Sequence, residues 1–305
     1  MSNYLTMTKE QLEQELRVQT DHLEACRAQN LKLNMARGKP AKQQLDAVSD
    51  ILSVITTGDE CFDGNLDTRN YGDLAGIPSA RAYWAEVLGC KPDQTFIGGS
   101  ASLNLMFDVI AKAYSHGLLH SPRPWCREES VKFLCPSPGY DRHFRITEFF
   151  GAELITVPML DNGPDMDMVE DLIKDPCVKG IWCVPKYSNP TGISYSDEVV
   201  LRFANLKPAA EDFRIYWDNA YGIHHLYEDT QDQILNILDE CAKAGNPNMV
   251  YIFCSTSKIS FPGSGVSAVA SSIENIQYIM SHMTVQTIGH DKINQLRHAR
   301  FFKDI

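Results

Sequence analysis

The sequence predicts an α/β protein built on a mostly parallel sheet, and two observations carry that prediction. From about residue 95 onward, short apolar runs alternate with segments of helical period: "TFIG", "VKFLCP", "AELITVP", "GIWCVP", "RIYWDN", "MVYIFC" and "SAVASS". Strand–helix–strand alternation is the pattern of a parallel sheet covered by helices. Several of these runs also empty into loops of small and polar residues. In such sheets ligands bind beyond the carboxyl ends of the strands, so those loops are where chemistry is expected.

Taken in order, residues 8–31 read as an amphipathic helix. Thr8 with Gln11 fits a capping box, and Leu12, Leu16, Leu23 and Cys26 fall roughly on one face. "NMARGKPA" (34–41) breaks it with Gly38 and Pro40. "SLNLMFDVIAKAYSHG" (102–117) has helical period between two apolar runs, and "DKINQLRHARFFKDI" at the end is helical without a closing cap. No internal repeat or low-complexity linker interrupts the chain.

The composition is that of an average globular protein, 44% hydrophobic and 22% charged over 305 residues. A formal net charge of −11 argues against nucleic acid or an anionic membrane as partner. The nine cysteines contain no C-x-x-C pair, so neither a zinc ribbon nor a disulfide framework follows. Cys135, Cys183 and Cys254 sit at the ends of apolar runs, where a thiol acts as a small hydrophobe. No apolar span of membrane length and no signal-peptide start occurs, and the expectation is a reduced, soluble, cytoplasmic protein.

Four strand ends hold the candidate chemistry. "GGSAS" (98–102) opens a helix; it is either a Ser-capped helix or an anion site made of amides and the Ser100 and Ser102 hydroxyls. "YSNPTG" (187–192) follows "GIWCVP" and sets Asn189 beside a rigid turn. Asp218 ends "RIYW" with Tyr221 three residues on; it is a helix N-cap or a buried carboxylate that needs a positive partner. "STSK" (255–258) ends "MVYIFC", and Lys258 there is either a surface lysine or an amine tuned to act as a nucleophile.

The order of these four features resembles the fold-type-I pyridoxal-phosphate enzymes of the class I and II aminotransferase family. "NMARGKP", "RNYGDLAGIPSARA" and "STSKISFPGSGV" are most similar to its aspartate-aminotransferase-like branch, sometimes labelled MocR-type. The resemblance implies a large domain with a mostly parallel seven-stranded sheet flanked by helices, and an incomplete small domain. Residues 1–40 would belong to the small domain, 41–290 to the cofactor-binding domain, and 291–305 to the start of a C-terminal helix. It implies pyridoxal 5′-phosphate as cofactor, amino acid and 2-oxo acid substrates, and a homodimer.

By the same resemblance Lys258 forms the Schiff base and then moves the substrate proton. Asp218 pairs with the pyridine nitrogen, and Asn189 and Tyr221 bond the phenolic oxygen. Gly99, Ser100, Ala101, Ser255 and Ser257 hold the phosphate. Tyr140 matches the aromatic stacked on the ring, or is a core tyrosine beside a Pro-Gly turn. Tyr71 reaches the phosphate from the neighbouring subunit, and the Gly38 backbone lies near the substrate carboxylate. Arg37 is read as structural.

Two departures accompany the resemblance. Where the commoner pattern has a phosphate-gripping arginine, this chain has Val266, with Ser264 and the amides of Gly263 and Gly265 as neutral substitutes. Family members also run on past this length, so the carboxylate-binding arginine of the small domain is expected to be missing. An aminotransferase, aspartate-like in its branch, stands first; a lyase using the same lysine and a non-catalytic cofactor-binding fragment or regulator domain are the alternatives. The DNA-reading segment of such regulators has no counterpart in residues 1–33.

Overall fold

Each of the apolar runs forms a strand, and side-chain alternation along them divides the core in two. Along β7 (Val178–Cys183), β8 (Arg214–Asp218) and β9 (Val250–Ser255), every residue is buried. Ile181, Cys183, Ile215, Trp217, Val250 and Ile252 face one apolar cluster, while Trp182, Tyr216, Tyr251 and Phe253 face the other. A sheet buried on both faces needs apolar residues at both parities, which is why these runs are continuous rather than alternating.

The computed structural model describes residues 4–33 and 38–302. The chain divides into two compact units, 1–42 and 43–305. In the first, α1 (Lys9–Ala28) starts at the expected capping box: the Thr8 hydroxyl accepts from the Gln11 amide at 3.3 Å and the Gln11 side chain accepts from the Thr8 amide at 2.8 Å. Arg37 and the first half of the expected break, 34–37, lie outside the described residues; Gly38 and Pro40 lie within them and are exposed.

The second unit begins within a short helix, α2 (Lys42–Asp46), and contains a small ribbon of β1 (Phe62–Asp63) and β2 (Leu66–Asp67). The remaining strands are β3 (Thr95–Ile97), β4 (Lys132–Ser137), β5 (Glu153–Leu160), β6 (Gly163–Pro164) and β10 (Ser267–Ala270). They form one eight-stranded sheet in the order β3-β10-β9-β8-β7-β4-β5-β6. The pairs from β9 to β5 are parallel, whereas β10 is antiparallel to both its neighbours and β6 to β5. The sheet thus has one strand more than the expected seven. The extra one, β6, has only two residues, too few to leave a periodic signal.

On one face pack α3 (Pro78–Leu88), α6 (Met166–Leu172), α7 (Asp197–Ala204) and α8 (Ile237–Lys243). On the other pack α4 (Ser102–Ser115), α5 (Asp141–Phe149) and α9 (Ile273–Gln286). The last helix, α10 (Lys292–Phe301), buries polar side chains as well as Leu296. Its Gln295 Oε1 accepts from the Ile77 amide at 3.0 Å, and Asn294 Nδ2 donates to the Ser264 and Gly265 carbonyls. Lys292 Nζ donates to the Gly72 carbonyl at 3.0 Å. This helix clamps loops rather than filling core.

The nine cysteines are free. Burial pushes the Cys135 and Cys254 thiols up to about 12, so they sit as apolar groups in the core. No helix among the described residues is long and apolar enough to cross a membrane.

At the amino ends of the strands lies a buried ion pair. Asp212 accepts from Lys179 Nζ at 2.9 Å, Ser121 Oγ at 2.7 Å and Trp125 Nε1 at 2.8 Å. Burial raises the Asp212 pKa, yet these donors together hold it below the ordinary value. Its contribution to stability is therefore present above the unfolded carboxylate pKa and lost as pH falls. Asp212→Ala leaves Lys179 only the more distant Glu128 carboxylate, at 3.7 Å, and should cost about 3 kcal/mol, read as a lowered urea-unfolding free energy at neutral pH.

Candidate active site

The carboxyl ends of the strands open onto a cavity of about 230 Å³. It is lined by Ala101, Ser102, Leu103, Met106, Tyr140, Val184, Asn189, Asp218, Ala220, Tyr221, Ser255, Ser257 and Lys258. Eight of the sequence-derived candidates therefore meet in one place: Ala101, Tyr140, Asn189, Asp218, Tyr221, Ser255, Ser257 and Lys258.

Asp218 terminates β8 and is 6% exposed. Its Oδ2 lies 2.9 Å from His143 Nε2 on α5, while Oδ1 is buried with no partner among the described residues. The His143 ring is held from two sides. It stacks on Trp182 at 4.8 Å with 16° between planes and meets the Tyr140 ring edge-on at 4.9 Å.

Tyr221 comes three residues after Asp218, on the loop that leaves β8. Burial raises its phenolic pKa, nearby Asp218 and Tyr140 add to the rise, and a hydrogen bond from Asn189 opposes it. The phenol is therefore protonated at neutral pH. Asn189 is brought to it by a tight turn in which the Ser188 amide donates to the Ile193 carbonyl at 2.8 Å and Gly192 takes φ +74°. That left-handed conformation suits glycine, which accounts for the Gly of "NPTG".

Lys258 ends a 3₁₀ turn, Thr256–Lys258, directly after β9. It is exposed, and its Nζ stands 5.8 Å from the centre of the Tyr221 ring. The Ser255 hydroxyl caps this turn by accepting from the Ser257 amide, and it donates to Ser257 Oγ at 3.0 Å. His224, on the loop after β8, faces the Lys258 main chain, and burial lowers its pKa, with the nearby Lys258 charge adding to the fall. Its imidazole is thus neutral at pH 7.

At the start of α4, the N-cap residue Ala101 supplies no side-chain cap. The first amides of a helix have no intrahelical partners, so the end of α4 presents open N–H groups and a positive dipole end toward the cavity. Ser102 and Leu103, rather than Gly99 and Ser100, line it. Gly99 instead tethers the loop to the sheet: its carbonyl accepts from both the amide and the hydroxyl of Ser267 at 2.8 Å.

The remaining residues singled out in the sequence do not line this cavity. Tyr71 is 84% exposed and lines a separate cleft with Thr287–Ile293. Gly38 belongs to the first unit. Val266 is 2% exposed in the apolar core, and none of Gly263, Ser264 and Gly265 lines the cavity. His143 is the functional residue that sequence reasoning missed. Its only local sign is a histidine three residues after Tyr140, opening the first turn of a helix.

A helix amino end, three serines, a buried carboxylate, a tyrosine, an asparagine and a lysine thus surround one cavity. The chain belongs to the aspartate amino-transferase family, whose model it matches over residues 7–305. An aspartate aminotransferase of Corynebacterium glutamicum is 48% identical over 278 residues, 91% of this chain and 64% of its own length. The chain thus spans less than two thirds of that relative. A crystal structure of an aspartate transaminase from the same organism is 45% identical, with a TM-score of 0.91 over 98% of this chain and 70% of that one. The fold is also shared, at 20% identity and a TM-score of 0.64, with a Thermus thermophilus α-aminoadipate aminotransferase. That structure holds N-(5′-phosphopyridoxyl)-L-leucine and aligns over 88% of this chain and 64% of its own.

His143 is the one partner of the Asp218 carboxylate among the described residues. His143→Ala should therefore lower thermal stability by about 1–3 kcal/mol through an unpaired buried acceptor. Calorimetry of the two proteins at equal pH measures this.

Proposed function

We propose that this chain carries the cofactor-binding portion of a pyridoxal-phosphate-dependent aminotransferase that moves an amino group from an acidic amino acid, aspartate foremost, to a 2-oxo acid. The observation that carries the reading is the unpartnered Oδ1 of Asp218, buried at a cavity that Lys258 also lines. A buried carboxylate oxygen without a donor is costly, and a ring N–H would satisfy it. The names of the Corynebacterium glutamicum relatives support the substrate class.

The residues fit the cofactor at each of its polar groups. The amides opening α4, with the hydroxyls of Ser102, Ser255 and Ser257, suit a phosphate. Gly99 ties that loop to the sheet through Ser267, and Ser100, next to it, would offer its amide and hydroxyl to the same phosphate. Tyr140 is placed to cover a ring face. When bound, pyridoxal phosphate supplies an aldehyde that condenses with amines and a ring that takes up electrons from the α-carbon.

The chain's own groups have separable tasks. Asp218 accepts the ring N–H through Oδ1, while His143 keeps the carboxylate from turning away. The Asn189 amide donates to the Tyr221 oxygen, which leaves the phenolic proton free to point into the cavity. Lys258 would be the amine that holds the cofactor through its aldehyde carbon and, once an amino substrate has taken its place there, the base that would carry the α-proton. The neutral ring of His224 adds no second positive charge beside that amine. Two further assignments belong to the proposal: exposed Tyr71 completes a partner subunit's site in a homodimer, and Gly38 approaches the substrate carboxylate.

Adding pyridoxal phosphate to the purified protein should give a yellow, borohydride-reducible band that Lys258→Ala abolishes. Its absence in folded protein would sink the reading. Asp218→Ala should keep much of the cofactor affinity but reduce turnover on the order of 10²–10³-fold, as measured by amino-donor assays.

A further inference from the structure

We propose that Lys186 and Tyr187 are positioning residues that clasp the loop carrying Asn189 to the loop carrying Tyr221. The inference rests on the reading of those two side chains as cofactor contacts, and it concerns what holds them together.

Both loops are long and lack regular structure. One joins β7 to α7 and the other, from residue 219 to 236, joins β8 to α8. Loops of such length keep a defined shape only when something outside them fixes it. Lys186 Nζ donates to the Gly222 carbonyl at 2.9 Å, one residue beyond Tyr221. Tyr187 Oη lies 2.9 Å from His225 Nδ1 and accepts from the Asp232 amide at 3.1 Å. Among the described residues, the hydrogen bonds between these loops come from Lys186, Tyr187 and Asn189.

Two features mark the contact as built in. Lys186 is 8% exposed yet forms no ion pair among the described residues; its ammonium is committed to a main-chain carbonyl and lies 5.7 Å from the centre of the Tyr187 ring. Tyr187 has φ +49°, a left-handed conformation that is unfavourable for a bulky residue and persists only where surroundings over-determine it. Its amide donates to Ser194 Oγ at 3.2 Å, so backbone and hydroxyl are anchored on opposite sides. Reversing φ there would swing the hydroxyl away from His225 and carry Asn189, two residues on, out of register with Tyr221.

Tyr187→Phe removes the hydroxyl alone, and Lys186→Met keeps the buried volume. In cofactor-free protein, Tyr187→Phe should speed amide exchange over residues 188–193 and 222–232 by roughly 3- to 10-fold. Unchanged exchange overturns the clasp. With pyridoxal phosphate bound, both variants should raise the pH midpoint of the visible band by about half to one unit, in the same direction as Asn189→Ala. General destabilisation would lower the melting temperature without moving that midpoint. A midpoint moved by Asn189→Ala but by neither clasp variant overturns this proposal alone. A midpoint moved by none of the three overturns the reading of Asn189 as well.

Discussion

The active end of this sheet is organised around one buried carboxylate. Asp218 sits at the tip of a strand whose residues are all buried, where an acid is far costlier than an apolar residue. Among the described residues only one of its oxygens has a partner. That partner, His143, comes from α5, the helix that follows β4, and is fixed by an indole and a phenol ring. Trp182 on β7, and Tyr140 and His143 at the start of α5, therefore have a common purpose. They surround the carboxylate with groups too large to rearrange, so the direction of Oδ1 is set by packing.

Around that centre the fold supplies direction rather than chemistry. Parallel strands deliver Asn189, Asp218 and Lys258 to the same edge, because β7, β8 and β9 all end there. The α10 helix secures the periphery through buried polar groups: Lys292 on Gly72, Gln295 on Ile77 and Asn294 on the loop after Lys258. Burying such side chains is tolerable because each meets a main-chain group that would otherwise be unpaired. The second clasp, between the Asn189 and Tyr221 loops, follows the same logic with Lys186 on Gly222.

How much of this was legible in the sequence follows from the range of each interaction. The strands were readable because a sheet buried on both faces requires unbroken apolar runs, and "GIWCVP" and "MVYIFC" are such runs. Asn189, Asp218, Tyr221 and Lys258 were readable because each closely follows one of them. His143 was not, since its partner lies 75 residues away and nothing local distinguishes it from a surface histidine. The strain at Tyr187 and the polar interior of α10 were hidden for the same reason: both are defined by what they touch. For the phosphate loop, "GGSAS" pointed to the right stretch, but Ser102 and Leu103 line the cavity while Gly99 bonds to the sheet. Val266 was conspicuous as a missing cation, and the packed core around it explains why a valine suits that position.

The reversed strand β10 has a consequence for the order in which the protein can assemble. β3 pairs with β10 alone, and β10 lies 170 residues later in the chain than the strand it must receive. During synthesis Thr95–Ile97 therefore emerges early and, with only the Ala75 carbonyl accepting from its Ile97 amide, waits for a strand partner until Ser267–Ala270 has been made. The loop from Gly98 to Ser102 is held to the sheet by Ser267 and must wait with it. Long-range pairing of this kind is slow, because a large loop has to close before any contact rewards it. The anion-binding end of the site is thus among the first parts written and among the last to exist, and nascent chains shorter than about residue 270 have no means of forming it.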